Sequence, residues 1–358
     1  MYDLTDALDT VRVSQASGRA FLETFFAGLG ATEEESRINA DGILTAALWW
    51  HPGQGQGFEK LPRFARRFRN GGLVGDAPMT WVADRTSTAL LDAGNGLGYV
   101  AGHRAMSRAI EKARTTGIAM VAVQHSNHFG TSGYHAKHAA DEGLIGIAMT
   151  NAGAEMAPWG ATQPVLGTNP WGMAVPRRDH FPIVLDMALT QSGKGMMRWL
   201  AREGLPMPDN WALTPDGERT TDPGAADEGP LLPVGDYKGY GLSLITDILT
   251  GVLTGSMFGT DVFQDDQNFD VAHTMIAIDI EAFMDRKTFD LRLERLIEQV
   301  MSADPIDAEH PIQLPGQSEQ RRAAERMSDG IPLHRDLFES IRALASENDI
   351  PFLLETIG

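Results

Sequence analysis

An apolar run that passes directly into a polar, glycine-containing loop is the feature that most limits how this chain can fold. Residues 117–124 read GIAMVAVQ, and residues 124–136 read QHSNHFGTSGYHA. A short, partly β-branched apolar run is typical of a buried strand. Gly130 and Gly133 let the backbone approach a ligand, and the serine, threonine and asparagine side chains supply uncharged hydrogen-bonding groups. The pattern therefore predicts a buried strand that ends at the mouth of a pocket.

The loop contains three histidines, of which His128 lies closest to the turn glycines. An imidazole exchanges protons near neutral pH, so His128 is a candidate for acid–base chemistry. The alternative interpretation is a polar turn between a strand and a helix, in which the histidine has no chemical role.

Composition narrows the class of protein. The 358 residues are 42% hydrophobic, which is enough to bury one large core or two ordinary ones. Thirty Lys and Arg against 48 Asp and Glu give a net charge of -18, which disfavours nucleic acid and anionic membranes as partners. The chain has no cysteine, which excludes disulfides, thiolate metal ligands and a cysteine nucleophile. No signal-peptide pattern opens the sequence, and this predicts a cytoplasmic location.

The pattern of apolar residues predicts an α/β core flanked by helices. Two amphipathic helices are expected in the first fifty residues, and a shorter one at 61–69, where four arginines surround two phenylalanines. From residue 73 onward, strands and helices alternate. The apolar segment 241–259 contains Asp247, threonines and glycines, so a buried helix is expected there rather than a membrane span. Further strands are expected at 88–93, 118–123, 145–150 and 275–280, and further helices near 100–115, 133–141, 288–301 and 336–345.

Two short motifs resemble nucleotide-binding loops but are incomplete. Gly96, Gly98 and Ala101 have the spacing of a dinucleotide fingerprint between a predicted strand and a predicted helix. That fingerprint needs an acidic residue about 20 positions on, at the end of the next strand, and here that strand ends at Gln124. Lys194, in the segment SGKG, lacks the flanking residues of a phosphate loop, so a solvated surface charge is expected.

Four histidines repeat the HxxH spacing that zinc sites use: His125, His128, His135 and His138. Two of them fall on a predicted helix, and no carboxylate partner for their rings is evident in the sequence. A metal site is therefore not expected.

Seven segments point, in this order, to one family. They are SNHFGTSGYHA at 126–136, GLIGIAMTNA at 143–152, APWG at 157–160, LGTNPWGMAVP at 166–176, LDMA at 185–188, DGERTTDPGA at 216–225 and DYKGYGLSLITDILTGVLTG at 236–255. With these segments the chain resembles the type 2 malate/L-lactate dehydrogenase family, which includes ureidoglycolate dehydrogenase, diketogulonate reductase and piperideine-2-carboxylate reductase. Weaker matches on either side extend the resemblance over roughly residues 20–320.

The resemblance implies an α/β fold with a non-Rossmann NAD(P)-binding core, whose largely antiparallel sheet packs with N- and C-terminal helical regions. We expect a helical substrate-side region at 1–75 and a cofactor-binding core at 76–260. A strand and helices at 261–358 are expected to return to the N-terminal region. The resemblance also implies a homodimer, because members of the family bury the active site between subunits.

The resemblance assigns roles to individual residues. His128 is expected to be the proton donor. Lys60 stands where the family carries an arginine that binds the substrate carboxylate, although a solvated surface lysine is the alternative. Asp186 is expected to orient an imidazole or contact the cofactor ribose, with a helix N-cap as the alternative. The residues expected to bind the cofactor are Asn151, Ala152, Thr168, Asn169, Asp186, Met187, Ala188, Lys238, Gly239, Gln317 and Glu319.

Two departures from the family pattern affect the site. Family members carry Ser-His-Gly shortly before the carboxylate-binding residue, and this chain has Gly-Gln-Gly, in which Gln56 cannot deliver a proton at ordinary pH. Either His128 acts alone as the acid–base group, or the nearby His51 moves in from the loop. The family's later Pro-Gly-Glu ends in Gln317 here, which removes a carboxylate from the expected cofactor edge.

The expected function is an NAD(P)-dependent interconversion of a small 2-hydroxy acid and its 2-oxo acid by hydride transfer. One alternative is a reductase of cyclic imino acids. Another is a non-catalytic nucleotide-binding homologue that keeps the fold. The sequence does not distinguish NAD from NADP, because no arginine cluster is visibly placed to bind a 2′-phosphate.

Overall fold

A computed structural model describes residues 9–265, 267, 269–307, 309 and 311–357. The strands are β1 (Thr10–Val13), β2 (Thr80–Asp84), β3 (Thr88–Asp92), β4 (Ile118–Ser126), β5 (Ile145–Thr150), β6 (Trp171–Val175), β7 (Ile183–Met187), β8 (Val271–Ile278), β9 (Ile331–His334) and β10 (Thr356–Ile357). The helices are α1 (Gln15–Gly28), α2 (Glu33–Trp49), α3 (Leu61–Arg69), α4 (Gly98–Thr116), α5 (Ser132–Asp141), α6 (Lys194–Glu203), α7 (Pro223–Ala226), α8 (Tyr237–Asp247), α9 (Arg286–Met301), α10 (Gln317–Asp329) and α11 (Arg335–Glu347). The predicted helices and strands are confirmed, with ends that differ by a few residues.

A seven-stranded sheet with the order β2-β3-β4-β8-β5-β6-β7 forms the centre of the molecule. Among the strands described, β3 and β4 pair in parallel, and the other neighbours in this sheet are antiparallel. The parallel pair is joined by α4, since parallel neighbours need a crossover. The predicted α/β fold with a non-Rossmann, largely antiparallel sheet is confirmed. The region boundaries stay a prediction, and β8, from the expected third region, lies in the middle of the sheet.

The topology brings several chain segments to one edge of the sheet. β4, β5 and β7 run in the same direction, because β8 and β6 lie antiparallel between them. The C-terminal ends of these three strands therefore meet the N-terminal ends of β6 and β8. The loop that contains His128 follows β4, and the candidate cofactor residues at 151–152, 168–169 and 186–188 lie at the ends of β5, β6 and β7.

Glycines let α5 lie close to the sheet. A Cβ atom on Gly146 would collide with the carbonyl oxygen of Ala136, and one on Gly172 would collide with the backbone of Ser132. Glycine at both positions removes the atom that would hold the helix away. The first turn of α5 therefore lies directly over β6 and β7, beside the edge that collects the candidate residues.

The terminal helices form a second core beside the sheet. Phe21, Phe25 and Phe26 of α1 are fully buried, and α1 packs on α2. Thr32 and Glu35 form the capping box that the sequence predicts at the start of α2. The C-terminal chain returns to this core, since β9 and β10 pair with the two sides of β1.

Two arginines of α10 hold the C-terminal end of α2. Arg326 Nη1 donates to the carbonyl oxygens of Ala47 and Trp50, at 2.6 Å each, and Arg322 Nη1 donates to the carbonyl of Trp49. The last carbonyls of a helix have no partner within the helix and carry partial negative charge, so cations bind there favourably. The loop that leads to Lys60 begins at this anchored helix end.

The helix predicted over 241–259 is present, but the prediction that its apolar side chains are buried is wrong. The segment forms α8 and a following π-helical turn at Ile248–Val252, and its polar side chains face inward. Thr246 and Asp247 are buried, whereas Ile245 and Leu253 are 48% and 59% exposed. The inner face is polar because its groups bond to the sheet: Thr246 Oγ1 accepts a hydrogen bond from Trp171 Nε1 at 2.7 Å. None of the helices described has the length and hydropathy that crossing a membrane requires.

We expect Gly172→Ala to lower the free energy of unfolding by about 1–3 kcal/mol or more, because the added methyl group collides with the first turn of α5. Gly193→Ala is the matched control, since a Cβ atom there meets no atom within 4 Å. Chemical denaturation of the two variants measures the difference. Equal stabilities would contradict the close packing of α5 on β6.

Candidate active site

Asn127 anchors one side of the loop that follows β4. Its Nδ2 donates at 3.0 Å to the carbonyl oxygens of Asn95 and Gly96 and to the side chain of Asn95. Its Oδ1 accepts a hydrogen bond from Arg67 Nη2 at 2.6 Å. Arg67 is buried and also donates to the carbonyl of Gly72. A buried amide with all of these bonds satisfied fixes the backbone that carries it.

Phe129 anchors the other side of the same loop. Its ring stacks between His135, at a centroid distance of 4.7 Å, and His273, at 4.5 Å. His135 Nε2 donates to the Phe129 carbonyl oxygen at 2.8 Å. Burial lowers the pKa of both histidines to about 3, so both rings are neutral and stack on Phe129 without the cost of a buried charge.

His273 also links the ends of β4 and β5. Its Nδ1 lies 2.8 Å from Thr150 Oγ1, and its Nε2 lies 2.8 Å from Ser126 Oγ. The Thr150 hydroxyl donates to the carbonyl oxygens of Asn151 and Ala272, so it accepts from the Nδ1–H of His273. The Nε2 atom then accepts from Ser126. This chain of bonds sets the tautomer of His273 and joins two strand exits.

His128 lies between these two anchors and is half-buried. Its Nδ1 accepts a hydrogen bond from the Gly130 amide at 3.2 Å, so the proton of the neutral ring is on Nε2. Burial lowers the pKa of His128 well below its ordinary value, and the neighbouring charges of Lys60 and Arg63 lower it further. The ring is therefore neutral at pH 7 and carries its N–H on the atom that is not held by the loop.

A cavity of about 280 Å³ opens beside His128. Its lining includes the cationic side chains of Lys60, Arg63 and Arg67, together with the Phe269 ring. The guanidinium carbons of Arg63 and Arg67 lie 4.8 and 4.7 Å from the centroid of that ring. Burial, followed by repulsion from Arg63, lowers the pKa of Lys60 to about 8. The cavity is therefore an anion-binding site next to an imidazole.

Arg63 and Arg67 are site residues that the sequence pattern does not single out. The available signal is the predicted helix at 61–69, with four arginines around two phenylalanines. These two arginines are four positions apart on α3, so they lie on the same face of the helix and both reach the cavity.

The structure does not bring His51 to this cavity. His51 Nδ1 accepts a hydrogen bond from the Gly53 amide at 3.0 Å, and its ring packs edge-on against Trp199 at 4.5 Å. It lines a different cavity of about 250 Å³, together with Gln56 and Glu59. The turn at Phe58–Lys60 stands between the two cavities, since Glu59 lines one and Lys60 lines the other.

Asp186 lies at the end of β7 against the first turn of α5. Its Oδ2 accepts a hydrogen bond from the Gly133 amide at 2.8 Å, so it contacts a helix N-terminus and not an imidazole. Burial raises the pKa of Asp186 to about 7, and the charge of Glu319 adds to this effect. The buried hydroxyls of Thr131 and Ser132 lie in the same turn and have no hydrogen-bond partner among the residues described.

Two asparagines among the candidates brace the sheet edge with their side chains. Asn169 Oδ1 accepts from the Ala152 amide at 3.0 Å, and its Nδ2 donates to the Ser243 hydroxyl at 2.9 Å. Asn151 Oδ1 accepts from the Ala272 amide at 2.8 Å, and its Nδ2 donates to the Met257 carbonyl at 2.8 Å. These side chains therefore fix the backbone around the edge, and a ligand there would meet backbone groups of these segments.

The remaining candidates lie around the end of β7. The Leu189 amide, directly after Ala188, donates to the Thr168 carbonyl at 2.8 Å. Gly239 lies against the Leu189 carbonyl, where a Cβ atom would approach to 2.6 Å, and its neighbour Lys238 is exposed. The residues that these contacts bring together are Thr168, Asn169, Asp186, Met187, Ala188, Lys238 and Gly239.

The start of α10 lies along the same strand. The Val184 amide donates to the Pro315 carbonyl at 3.1 Å, and Gln317 Oε1 accepts from the Leu314 amide at 3.0 Å. Glu319, in the first turn of α10, is close enough to Asp186 to raise its pKa. The candidates Gln317 and Glu319 therefore belong to the same edge as Asp186.

The expectation that Lys194 is a solvated surface charge is wrong. Its Nζ donates to the carbonyl oxygens of Ala226, Asp227 and Gly229, and it thereby ties α6 to the segment after α7. The histidines with HxxH spacing also have separate partners: His125 bonds to Asp92, and His138 stacks on a neighbouring ring. Within the described part of the chain, no group of three or more His, Cys, Asp or Glu residues could hold a metal ion.

Comparisons with known proteins agree with this architecture. The chain is 34% identical to the L-sulfolactate dehydrogenase of Methanothermobacter thermautotrophicus over 343 residues, which cover 95% of this chain and 98% of that protein. It is 36% identical over 327 residues to the (2R)-3-sulfolactate dehydrogenase (NADP(+)) of Chromohalobacter salexigens, covering 88% of this chain and 93% of the relative.

Solved structures show the same fold. The malate dehydrogenase of Entamoeba histolytica superposes with a TM-score of 0.90 at 28% identity, covering 96% of this chain and 99% of that one. The profile of the malate/L-lactate dehydrogenase family matches residues 13–342, which is nearly the whole sequence. The chain therefore belongs to the malate/L-lactate dehydrogenase family, a family of dehydrogenases and reductases.

Proposed function

We propose that this protein is an NAD(P)-dependent oxidoreductase that interconverts a small 2-hydroxy acid and its 2-oxo acid. The observation that carries the proposal is the cation-lined cavity beside His128, at the sheet edge that also collects the candidate cofactor residues. A 2-oxo acid needs a cation for its carboxylate and a hydrogen-bond donor for its carbonyl oxygen. Lys60 and Arg63 offer the first, and His128 Nε2–H offers the second.

The sheet edge fits a nicotinamide dinucleotide. The buried hydroxyls of Thr131 and Ser132, which have no hydrogen-bond partner in the described part of the chain, lie at the N-terminus of α5 and can bond to polar groups of the cofactor. We assign to Asp186, at a strand end, the role of accepting hydrogen bonds from ribose hydroxyls. The exposed ammonium of Lys238 at the start of α8 supplies a cation for the phosphates.

The residues of the cavity hold the substrate and polarise its carbonyl group. When bound, the nicotinamide supplies a hydride to the carbonyl carbon. The half-buried site strengthens the attraction between the substrate carboxylate and the cations, because little water is present to screen it. His128 donates a hydrogen bond from Nε2 to the oxygen that gains negative charge. The neutral ring gives up a proton only after it has gained one on Nδ1, the atom that faces the Gly130 amide.

We expect acids with a second acidic group to be the better substrates. Three cations line the cavity, and a single carboxylate engages only one or two of them. The relatives named above are a malate dehydrogenase and sulfolactate dehydrogenases, and malate and sulfolactate both have such a group. A cyclic imino acid has one carboxylate, so it would engage fewer of these cations than a diacid does.

The chain presents a broad apolar surface that points to a homodimer. On the face of the sheet away from α4 and α5, paired residues form one apolar row across five strands. All members of the row are partly exposed: Met120, Ile276, Ile147, Met173 and Leu185. The outward side chains of α8 and the π-helical turn extend the same surface. Apolar patches of this extent in a folded chain mark an interface.

A second copy of this chain is the partner that we propose for this surface. The π-helical turn contacts β4 and β8, two strands of this row, and Ser243 of α8 bonds to Asn169, so the dimer would also cover the edge of the site. Homodimers form mostly through the same apolar patch on both subunits. The cytoplasmic location expected from the sequence stays a prediction.

The proposed reaction is tested by following the absorbance of NADH or NADPH with a panel of oxo acids. We expect consumption with pyruvate, oxaloacetate and 3-sulfopyruvate, and a higher kcat/KM for the last two. A cyclic imine in a parallel assay tests the alternative reductase. Binding of the nucleotide without turnover of any compound would favour the non-catalytic homologue and contradict the proposal.

We expect His128→Ala to lower kcat for reduction by about 100-fold, because the developing oxyanion loses its hydrogen-bond donor. His125→Ala is the matched control, since His125 lies in the same loop but is exposed and bonds to Asp92. Fluorescence titration with NADH should show unchanged nucleotide binding in both variants. Equal activity of the two variants would argue against a role for His128.

We expect the wild-type protein to have twice the mass of the 38.9 kDa chain in solution, and Leu253→Lys to shift it toward the single chain. Leu253 is 59% exposed on the proposed interface. Val82→Lys, on an edge strand and 56% exposed, is the control that should stay dimeric. Size-exclusion chromatography with light scattering measures the mass. A monomeric wild type would contradict the proposed dimer.

A further inference from the structure

Reduction of a 2-oxo acid needs one proton, and the cavity offers few groups that can supply it. Apart from the amide of Asn127, which is not acidic, four side chains there carry an N–H: His128, Lys60, Arg63 and Arg67. An arginine does not release its proton in a protein, because its pKa exceeds 12. The choice of donor therefore lies between His128 and Lys60.

His128 is poorly placed to become an imidazolium. Its Nδ1 faces the Gly130 amide, so a proton on that atom would set two donors against each other. The positive charges of Lys60 and Arg63 disfavour a second proton on the His128 ring. His273 is also nearby, but it is buried and neutral. Among the residues that the structure describes, the His128 ring is bonded to the Gly130 amide and to no carboxylate, so it is not held as the histidine of a catalytic triad is.

We propose that Lys60 is the catalytic acid of the reduction, giving a proton from Nζ to the substrate oxygen while His128 Nε2–H donates a hydrogen bond to that same oxygen. This inference rests on the proposed function. It departs from the expectation that position 60 only binds the substrate carboxylate.

The surroundings of Lys60 suit this role. The side chain lies at the end of the turn Phe58–Lys60, lines the cavity with His128, and forms no hydrogen bond or ion pair with the residues described. An ammonium without a fixed partner is free to point at a substrate atom. Burial, together with the charges of Arg63 and Arg198, lowers its pKa to about 8, although Glu155 and Glu59 oppose this. A lysine with such a pKa exchanges its proton near neutral pH.

Two departures from the family pattern, at positions 56 and 60, are then related. Position 56, where the family has a histidine, holds Gln56, which cannot give a proton and lines the other cavity. Position 60, where the family has an arginine, holds a lysine, which can. Arg63, in the same cavity, still supplies a fixed cation for the carboxylate. The chain has lost one titratable group beside the substrate and gained another.

The step balances in atoms and electrons. The carbonyl carbon gains the hydride that the reduced nicotinamide provides, and the π electrons of the C=O bond move onto oxygen. An O–H bond forms as an N–H bond of Lys60 breaks, which leaves a neutral amine. Solvent then protonates the amine before the next turnover. In the oxidation direction the neutral amine accepts the hydroxyl proton.

The sign of the pH dependence follows from these states. Reduction uses the protonated lysine, so kcat/KM should be level below a pH of about 8 and fall above it. Oxidation uses the neutral amine, so its kcat/KM should rise with pH up to about 8 and then level off. A bound anionic substrate favours the ammonium, so the corresponding break in kcat should lie at higher pH.

Lys60→Arg separates an acid from a carboxylate anchor, because arginine keeps the charge but not the removable proton. We expect this variant to retain binding of oxamate, an unreactive 2-oxo acid analogue, to the NADH-loaded protein, while kcat for reduction falls by about 100-fold. If Lys60 only anchors the carboxylate, Lys60→Arg restores the family residue, and activity would stay equal or rise. That result would overturn the proposal. Lys137→Arg, on the exposed side of α5, is the control expected to keep wild-type activity.

Two further readouts do not depend on the activity of that one variant. NMR of isotope-labelled lysine in the wild-type protein, assigned by difference from Lys60→Arg, should show a pKa near 8, and the ordinary value of 10.5 would overturn the proposal. In Lys60→Ala, added primary amines should restore reduction with rates that depend on the pKa of the amine. Rescue that is independent of amine pKa would indicate charge alone and would contradict proton transfer.

The proposed function and this inference fail in different ways. A wild-type protein that turns over none of the oxo acids would contradict the proposed function itself. A wild-type protein that reduces them, with Lys60→Arg equally active, would contradict only the assignment of the proton to Lys60.

Discussion

The stacking of Phe129 between two uncharged histidines fixes the exit of β4, and the candidate site is built on that exit. A charged imidazole at either position would be buried without an anion, which is costly. Both rings avoid this cost because burial holds their pKa near 3. Asn127, on the far side of His128, is bound by Arg67 and by the loop before α4. The side chain of His128 is thus oriented by Phe129 and Asn127, which do not themselves take part in the proposed chemistry.

The cavity and the cofactor edge are connected through α10. The first turn of this helix places Glu319 near Asp186, and its later turns place Arg322 and Arg326 on the last carbonyls of α2. The chain continues from α2 into the loop that ends at Lys60. One helix therefore contacts the proposed cofactor edge and also anchors the segment that carries the proposed acid. The C-terminal chain completes the site although it contributes few side chains to the cavity.

Much of the fold could be predicted because its determinants are local. The apolar run before His128 and the capping box at Thr32 both act within a few residues. The hydrogen bond between Arg67 and Asn127 joins residues 60 positions apart. The sequence around either residue does not indicate that the other is its partner. The position of β8 between β4 and β5 likewise depends on contacts between segments that are far apart in the sequence.

Two local predictions failed for physical reasons. The helix α8 turns its polar side inward because the polar groups bond to the sheet edge, and a count of apolar residues does not reveal which side faces the core. Lys194 bonds to three carbonyl oxygens of a distant segment, which its glycine-rich surroundings do not indicate. The separation of His51 from His128 has the same origin, since the fold of one short loop decides which cavity each side chain lines.

The proposed site is tested most directly by a crystal structure of the protein with NADH and oxamate. We expect the oxamate carboxylate to lie against Arg63 and Arg67 of α3, and its carbonyl oxygen to lie within hydrogen-bonding distance of both Lys60 Nζ and His128 Nε2. The nicotinamide ring should lie against the same carbonyl carbon, with its ribose near Asp186. Oxamate bound elsewhere, or a dinucleotide bound away from the ends of β4, β5 and β7, would contradict the proposed site.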